Sequence, residues 1–504
     1  GKAQNTTSNE HPSGPANMAM MEQCPGTTSA VAVTGGHQIL LFGVIAAIFG
    51  ALILYIWQLF VYHDVGDNPN WRNWYVDPVP HSGPSNLPRP ATFFLNSRHQ
   101  KLYYALRGPP PYVENKRNPA CKGVLFVNVG YGAHTTRPSY QPLLNALASG
   151  WCVATFDWAG QGYSEGARCL VHPAGMLSDL SQFVDLVLNG VDARCGGGGK
   201  KLGKGAKEAR DDRGRAGGGR GRGGSAVGRE QRPVPWFVVG QSMGGCMALL
   251  FSQHAWRTKR LATESDNAPA ARSKAAAQEG TAQTRGSMQP RQQNVTCYRG
   301  FSGCVAVAPM VTVDTPAAHV LAIMKVVARL FPLRALPSFV SSELSDEATW
   351  KDPATIAWHI NFDSWGCPGG LGWGRPMRWG SAAALIEMSA VLCSLLRDTN
   401  GNGGDNDSSD SGGGGGSGSS GMGVEGCALN FGRSLEPFPV LLIHDPKDQI
   451  TQYKGSKLVL DRSRARLKEL VDVHGGMHDL MCTSSRLIAD ATLAFVDKAE
   501  NQKA

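Results

Sequence analysis

The apolar residues of this chain fall into runs that are apolar at every position, not at every second one. Gly123–Val129, Trp151–Phe156, Trp236–Gly240, Gly303–Pro309 and Pro439–Ile443 are such runs. Strands that are apolar on both faces belong to a buried parallel sheet covered by helices. Segments of helical period alternate with them: Tyr140–Ala148, Leu177–Leu188, the stretch after Ser242, and Leu487–Ala499. Ala91–Asn96 and Lys101–Leu106 predict an antiparallel strand pair at the start of the domain, and Leu467–Val473 a last strand. The whole is an α/β pattern with a mostly parallel sheet.

Residues 312–396 break the alternation. Ala317–Leu330 and Ser381–Leu396 predict apolar helices, and Asp346–Ile360 predicts one broken at Pro353. A helical block set late into a parallel sheet predicts a cap. Two polar stretches, 191–232 and 257–296, predict low-complexity insertions, and the Gly/Ser/Asp-rich 397–428 predicts a flexible loop. The core is thereby expected over 91–311 and 429–504.

The N-terminal part differs. Residues 1–36 are polar without apolar period, which predicts a disordered tail. Residues 39–62 carry no charge over 24 positions, and Tyr55, Trp57 and Tyr62 gather at one end. That length spans a bilayer at about 1.5 Å per residue, so a single-pass anchor over 37–62 is expected, its orientation open. A Pro- and Trp-rich linker, 63–90, would join it to the domain.

Charge changes the picture little. The chain of 504 residues carries a formal +9, but residues 195–232 alone hold +7 and 257–296 hold +4. The remainder is about −2, so a basic folded face for nucleic acid is excluded. The Arg-Gly-Arg-Gly-Gly within 217–224 lacks the aromatics of a nucleic-acid tract. Twelve cysteines include no Cys-x-x-Cys, and no His/Cys cluster has zinc spacing, so no metal and no cofactor are expected.

The chemistry gathers around Trp236 to Leu250. An apolar strand runs into Gly240-Gln241-Ser242-Met243-Gly244, and a small-residue helix follows. Strand, Gly-x-Ser-x-Gly and helix in that order predict a nucleophile elbow, with Ser242 lifted above the sheet edge. A second copy, Gly162-Tyr163-Ser164-Glu165-Gly166, has no strand leading into it. Acyl transfer further needs a base and an orienting carboxylate, following in the order Ser, acid, His. Asp448 and His478 supply that order on loops after late strands, with Asp445 as rival acid and His444 and His474 as rival bases. The oxyanion donors expected are the N–H of Met243 and that of Tyr131, in Gly130-Tyr131-Gly132.

These residues resemble the monoacylglycerol lipase-like, also lysophospholipase-like, branch of the α/β-hydrolases. The resemblance rests on Gly130-Tyr131-Gly132 with His134, Asp157 to Gly166, Gly240 to Gly245, Ala308-Pro309-Met310, and His444 to Asp448 with His478. It implies an α/β-hydrolase fold with a helical cap over an acyl-chain channel. It implies Ser242 as nucleophile, Asp448 as acid, His478 as base, and Tyr131 and Met243 as oxyanion donors. Ser164 falls in a turn of the family that is structural. Three departures stand out: Val129 and Gln241 where the family usually has His, and Asp445 where it usually has Gly. The expected activity is hydrolysis of a lipid ester, a monoacylglycerol or lysophospholipid, at a membrane. The alternatives are a lipid acyltransferase with the same triad and a silent scaffold.

Overall fold

The computed structural model describes residues 92–113, 116–189, 233–267, 295–337, 346–364, 371, 377–397, 431 and 434–502, with positions 43, 44, 47, 49, 50 and 53. The expected tail 1–36, linker 63–90, insertion 191–232 and loop 397–428 (Arg397 apart) lie outside the described residues. So does most of the expected anchor 39–62, whose described positions are helical. Among the described residues no helix is long and apolar enough to cross a membrane.

The strands are β1 (Thr92–Leu95), β2 (Lys101–Arg107), a small hairpin β3 (Tyr112–Val113) and β4 (Lys116–Arg117), then β5 (Val124–Asn128), β6 (Cys152–Phe156), β7 (Trp236–Gln241), β8 (Phe301–Val307), β9 (Val440–His444) and β10 (Lys468–Asp472). Among the described residues eight of them form one sheet in the order β1-β2-β6-β5-β7-β8-β9-β10. All pairings from β6 to β10 are parallel, and β2 runs antiparallel to both its neighbours. The helices are α1 (Gln141–Leu147), α2 (Pro173–Asn189), α3 (Met243–Asn267), α4 (Ala318–Leu330), α5 (Asp346–Thr349), α6 (Pro353–Trp358), α7 (Trp379–Leu395), α8 (Tyr453–Arg462), α9 (Leu480–Thr483) and α10 (Ser485–Asn501).

The unbroken apolar runs are explained by two cores, one on each face of the sheet. Val124, Phe126, Trp236, Val238, Cys304 and Ala306 turn to one face, under Phe183 of α2 and Leu250 and Phe251 of α3. Leu125, Val127, Phe237, Val239, Val305 and Val307 turn to the other, under Leu143 and Leu147 of α1 and Phe495 of α10. Successive side chains point to opposite faces, so a strand covered on both sides must be apolar throughout. Each fully buried Val, Leu or Phe contributes about 1.5–3 kcal/mol.

One expected boundary is corrected. The insertion predicted over 257–296 begins later, because α3 continues to Asn267. No Gly or Pro interrupts 257–267. Ala262 is buried, Lys259 Nζ donates to the Phe301 carbonyl at 2.7 Å, and Arg260 pairs with Glu436 at 3.0 Å. The break expected at Pro353 is present: α5 ends at Thr349 and Pro353 starts α6, with Asp352 capping the N–H groups of Ala354 and Thr355.

The polarity of the strands sorts the connections. Segments 190–232, 268–294 and 398–430 rejoin the sheet on the side where β7, β8 and β9 begin. The helical stretch α4 to α7 departs from the opposite side, where β8 ends.

Candidate active site

Ser242 directly follows β7 and holds a left-handed backbone, φ 55°. For a non-glycine residue this costs on the order of 1–3 kcal/mol and persists only where neighbours over-determine it. They do so here. Ser242 N–H donates to the Val307 carbonyl at 3.0 Å, and its own carbonyl accepts from Cys246 N–H at 3.0 Å and Met310 N–H at 3.1 Å. The flanking glycines are required by contact: a Cβ on Gly240 would stand 2.1 Å from the Gly244 carbonyl oxygen, and one on Gly244 would stand 2.5 Å from that of Val129. Met243 is buried and opens α3, so its N–H is one of the unpaired donors at a helix N-terminus.

Two further non-glycine residues with left-handed backbone stand at this edge of the sheet: Ala308 after β8 (φ 41°) and Met477 in the loop after β10 (φ 60°). Such outliers gather where geometry serves function.

Asp448 follows β9, and its side chain is buried. Its Oδ1 accepts from the N–H groups of Ile450 (2.7 Å) and Thr451 (3.0 Å). Its Oδ2 lies 2.8 Å from His478 Nδ1, 3.2 Å from His444 Nε2 and 2.8 Å from the Thr451 hydroxyl. Burial raises the carboxyl pKa, but the bonds from His444 and His478, the His478 charge and Thr451 outweigh it and hold the group well below the usual carboxylate range. With Nδ1 on the carboxylate, His478 turns its Nε2 away from it. His478 and Asp448 therefore form a direct pair, while among the described residues Ser242 Oγ makes no hydrogen bond to His478. Such bonds often tighten only with substrate bound.

The rivals have other work. Asp445 is buried, and its Oδ2 accepts from Gly476 N–H (2.9 Å) and Met477 N–H (3.1 Å). It thereby holds the strained turn just before His478. His444 Nδ1 lies 2.7 Å from the Ser456 hydroxyl. His474 is exposed. Ser164 is fully buried in a turn, its hydroxyl donating to the Asp157 carbonyl at 2.6 Å and accepting from Tyr103 N–H at 2.9 Å.

Gly130 packs against the serine, since a Cβ there would lie 3.1 Å from Ser242 Cβ. Tyr131 is the next residue. Its phenol donates to the Cys169 carbonyl at 3.2 Å, which turns the side chain away along the core.

Sequence reasoning missed the buried polar residues behind these loops. Asp363, in the π turn after α6, accepts from Arg137 Nε at 2.8 Å and lies 2.9 Å from His134 Nε2 and 3.1 Å from His359 Nδ1. Burial alone would raise the Asp363 carboxyl, but Arg137 and His134 hold it well below its usual value. Asp479 is a second buried carboxylate, met by Gln241, Trp350 and Tyr140. The signals were faint: Asp479 adjoins His478 and Gln241 adjoins Ser242, but Trp350 and Asp363 approach from far along the chain.

A parallel sheet with an antiparallel second strand, a strained serine elbow at a central strand end, and a carboxylate-bound histidine at the same edge define an α/β-hydrolase fold. No family model matches the sequence, and no curated protein does. Solved structures aligning with the chain include a monoacylglycerol lipase from Paleococcus ferrophilus, 15% identical, covering 78% of this chain and 99% of that one at a TM-score of 0.43. Another is a soluble variant of monoglyceride lipase from Saccharomyces cerevisiae with a substrate analogue, 15% identical, covering 83% and 99% at 0.46. A third is Est1E from Butyrivibrio proteoclasticus with bound ferulic acid, 14% identical, covering 81% and 100% at 0.37.

Proposed function

We propose that this chain is a serine hydrolase of lipid carboxylic esters, with Ser242 as nucleophile, His478 as base and Asp448 as the carboxylate that orients it. The observation that carries the reading is the 2.8 Å His478–Asp448 pair at the sheet edge where Ser242 holds its strained elbow. His478 Nε2 takes the Ser242 proton as Oγ attacks the ester carbonyl. The oxyanion that forms accepts from the N–H groups of Met243 and Tyr131. Its collapse expels the alcohol, which takes the proton from His478. Water, deprotonated by the same imidazole, attacks the acyl carbonyl, and collapse of that second intermediate breaks the bond to Ser242 Oγ, which takes the proton back from His478 as the fatty acid leaves. Every bond and proton is accounted for by the chain, the ester and water.

Support for an amphiphilic substrate comes from α4. Val320, Ile323, Val326 and Leu330 leave apolar side chains in solvent, at 39%, 61%, 59% and 64% exposure. Exposed apolar residues in such a cluster mark an interaction surface. The substrates proposed are monoacylglycerols or lysophospholipids, and residues 39–62 are proposed to anchor the chain to the membrane that supplies them.

Labelling with a fluorophosphonate probe, wild type beside Ser242→Ala, tests the nucleophile. Loss of labelling in the variant alone is the expected result, and an unlabelled, folded wild type would move the reading to a silent scaffold. A screen of monoacylglycerol, lysophosphatidylcholine and a short p-nitrophenyl ester, with a free alcohol added as competing acceptor, separates hydrolysis from acyl transfer. Alkaline extraction of membranes, with and without residues 1–62, tests the anchor.

A further inference from the structure

The residue before Ser242 and the residue after His478 are bonded to one another. Gln241 Nε2 donates to Asp479 Oδ1 at 2.9 Å, and Gln241 Oε1 accepts from Met481 N–H at 3.0 Å. Both ends of one amide are thus spent on the short segment that continues His478. Gln241 and Asp479 are 3% and 2% exposed, so water does not compete for these bonds. The other carboxylate oxygen, Oδ2, accepts from Trp350 Nε1 at 2.9 Å and Tyr140 OH at 3.1 Å. Asp479 N–H donates to the Thr349 carbonyl at 3.0 Å. The end of β7, the turn before α1, the start of α9 and the helical insert meet at this one carboxylate.

We propose that Gln241 and Asp479 are a positioning pair that fixes the spacing between Ser242 and His478, and that Trp350 ties this spacing to the seating of the helical insert. The proposal rests on the triad assignment made above. Its physical basis is the sheet order. Ser242 follows β7 and His478 follows β10, three strands away. At about 4.8 Å per strand that is roughly 14 Å, which the His478 loop must recross. A backbone arch of that reach leaves the serine–imidazole distance soft, and a 1 Å error costs about 10²-fold in rate. The Gln241 bridge removes that freedom at its two ends. Glutamine suits the position because it offers a donor to the carboxylate and an acceptor to the Met481 N–H on one planar group. An ionised glutamate has only acceptors.

Exchanging the roles of the pair tests this. Gln241→Glu sets two carboxylates against each other. The double variant Gln241→Glu/Asp479→Asn restores a donor facing an acceptor, keeps one buried charge, and leaves oxygens for Met481 N–H and Trp350. The readouts are the rate of fluorophosphonate labelling, and kcat and KM for a short p-nitrophenyl ester, on protein shown to be folded by its melting transition. Gln241→Glu is expected to lower the labelling rate and kcat by about 10–100-fold. KM for the short ester should stay within about twofold, because losing an alignment needed only in the transition state lowers kcat and kcat/KM equally. The double variant is expected to regain most of the lost rate. Should Gln241→Glu not fold, Trp350→Phe deletes one donor to the same carboxylate and is expected to lower kcat with KM unchanged. A folded Gln241→Glu that labels at the wild-type rate overturns the proposal, as does a folded double variant no faster than Gln241→Glu. If Gln241→Glu does not fold, wild-type kcat in Trp350→Phe overturns it. Ser242→Ala runs in parallel: if it still labels, the triad assignment fails, and if it does not, a failure belongs to the positioning pair alone.

Discussion

His478 and His444 share one oxygen of Asp448, at 2.8 Å and 3.2 Å. The carboxylate is therefore held from two sides, by a fully buried His444 and by His478, which keeps 6% exposure. Asp448→Asn places an amide donor there, which opposes the tautomer that leaves Nε2 free to take a proton. We expect kcat for a short ester to fall by about 10³–10⁴-fold, the scale of the corresponding change in other triads. Steady-state turnover of the purified variant checks this.

The same carboxylate sets an acid limit. Its folded pKa is held below the unfolded value of about 3.9, so its contribution to stability is present above that pH and is lost as the pH falls toward the folded value. Asp363 is depressed in the same direction and adds to the effect. The melting temperature of the wild type should fall steeply below about pH 4. Asp448→Asn should fall less steeply, and melting curves of both proteins across that range decide it.

Asp363→Ala leaves Arg137, itself fully buried, without its carboxylate. Breaking such a pair costs about 3–5 kcal/mol, since the buried guanidinium loses its ion-pair partner while the Gly132 carbonyl still accepts from Nη2. Urea denaturation should show that loss.

The elbow strain gives a comparison between two inactive proteins. Ser242→Ala keeps a Cβ at φ 55°, and Ser242→Gly does not. Gly is expected to be the more stable by roughly 0.5–1 kcal/mol, the reverse of its ordinary rank in folded elements. Equal stabilities would mean that the turn relaxes without the hydroxyl.

Much of this was legible in the sequence. The parallel sheet was visible because two covering layers force strands such as Val124–Asn128 to be apolar at every position, and the elbow because Gly240 and Gly244 have no tolerance for a Cβ. Strand ends shifted by a residue or two, as at Phe301, where hydrogen bonding begins before the apolar run does. Two things were not legible. The end of α3 was hidden because a polar, exposed helix turn has the composition of a loop. The carboxylates of Asp363 and Asp479 were hidden because their partners lie far off in the chain: Arg137 meets Asp363 across 226 positions and Trp350 meets Asp479 across 129. Hydrophobic period carries no record of a buried polar contact between distant segments.

Removing 195–230 should leave kcat for a short ester within about twofold of wild type, because a loop's closure entropy changes only by about 0.6 kcal/mol for each doubling of length. Turnover of the shortened chain tests it.

The direction of β7, β8 and β9 has a consequence for where the chain re-enters the sheet. Three long segments of low complexity enter where those strands begin, and the serine stands where they end. The six residues of β7 put about 20 Å between the two rims. The described residues at which the chain re-enters the sheet after each segment therefore stand at the rim remote from Ser242, with the length of the strands between.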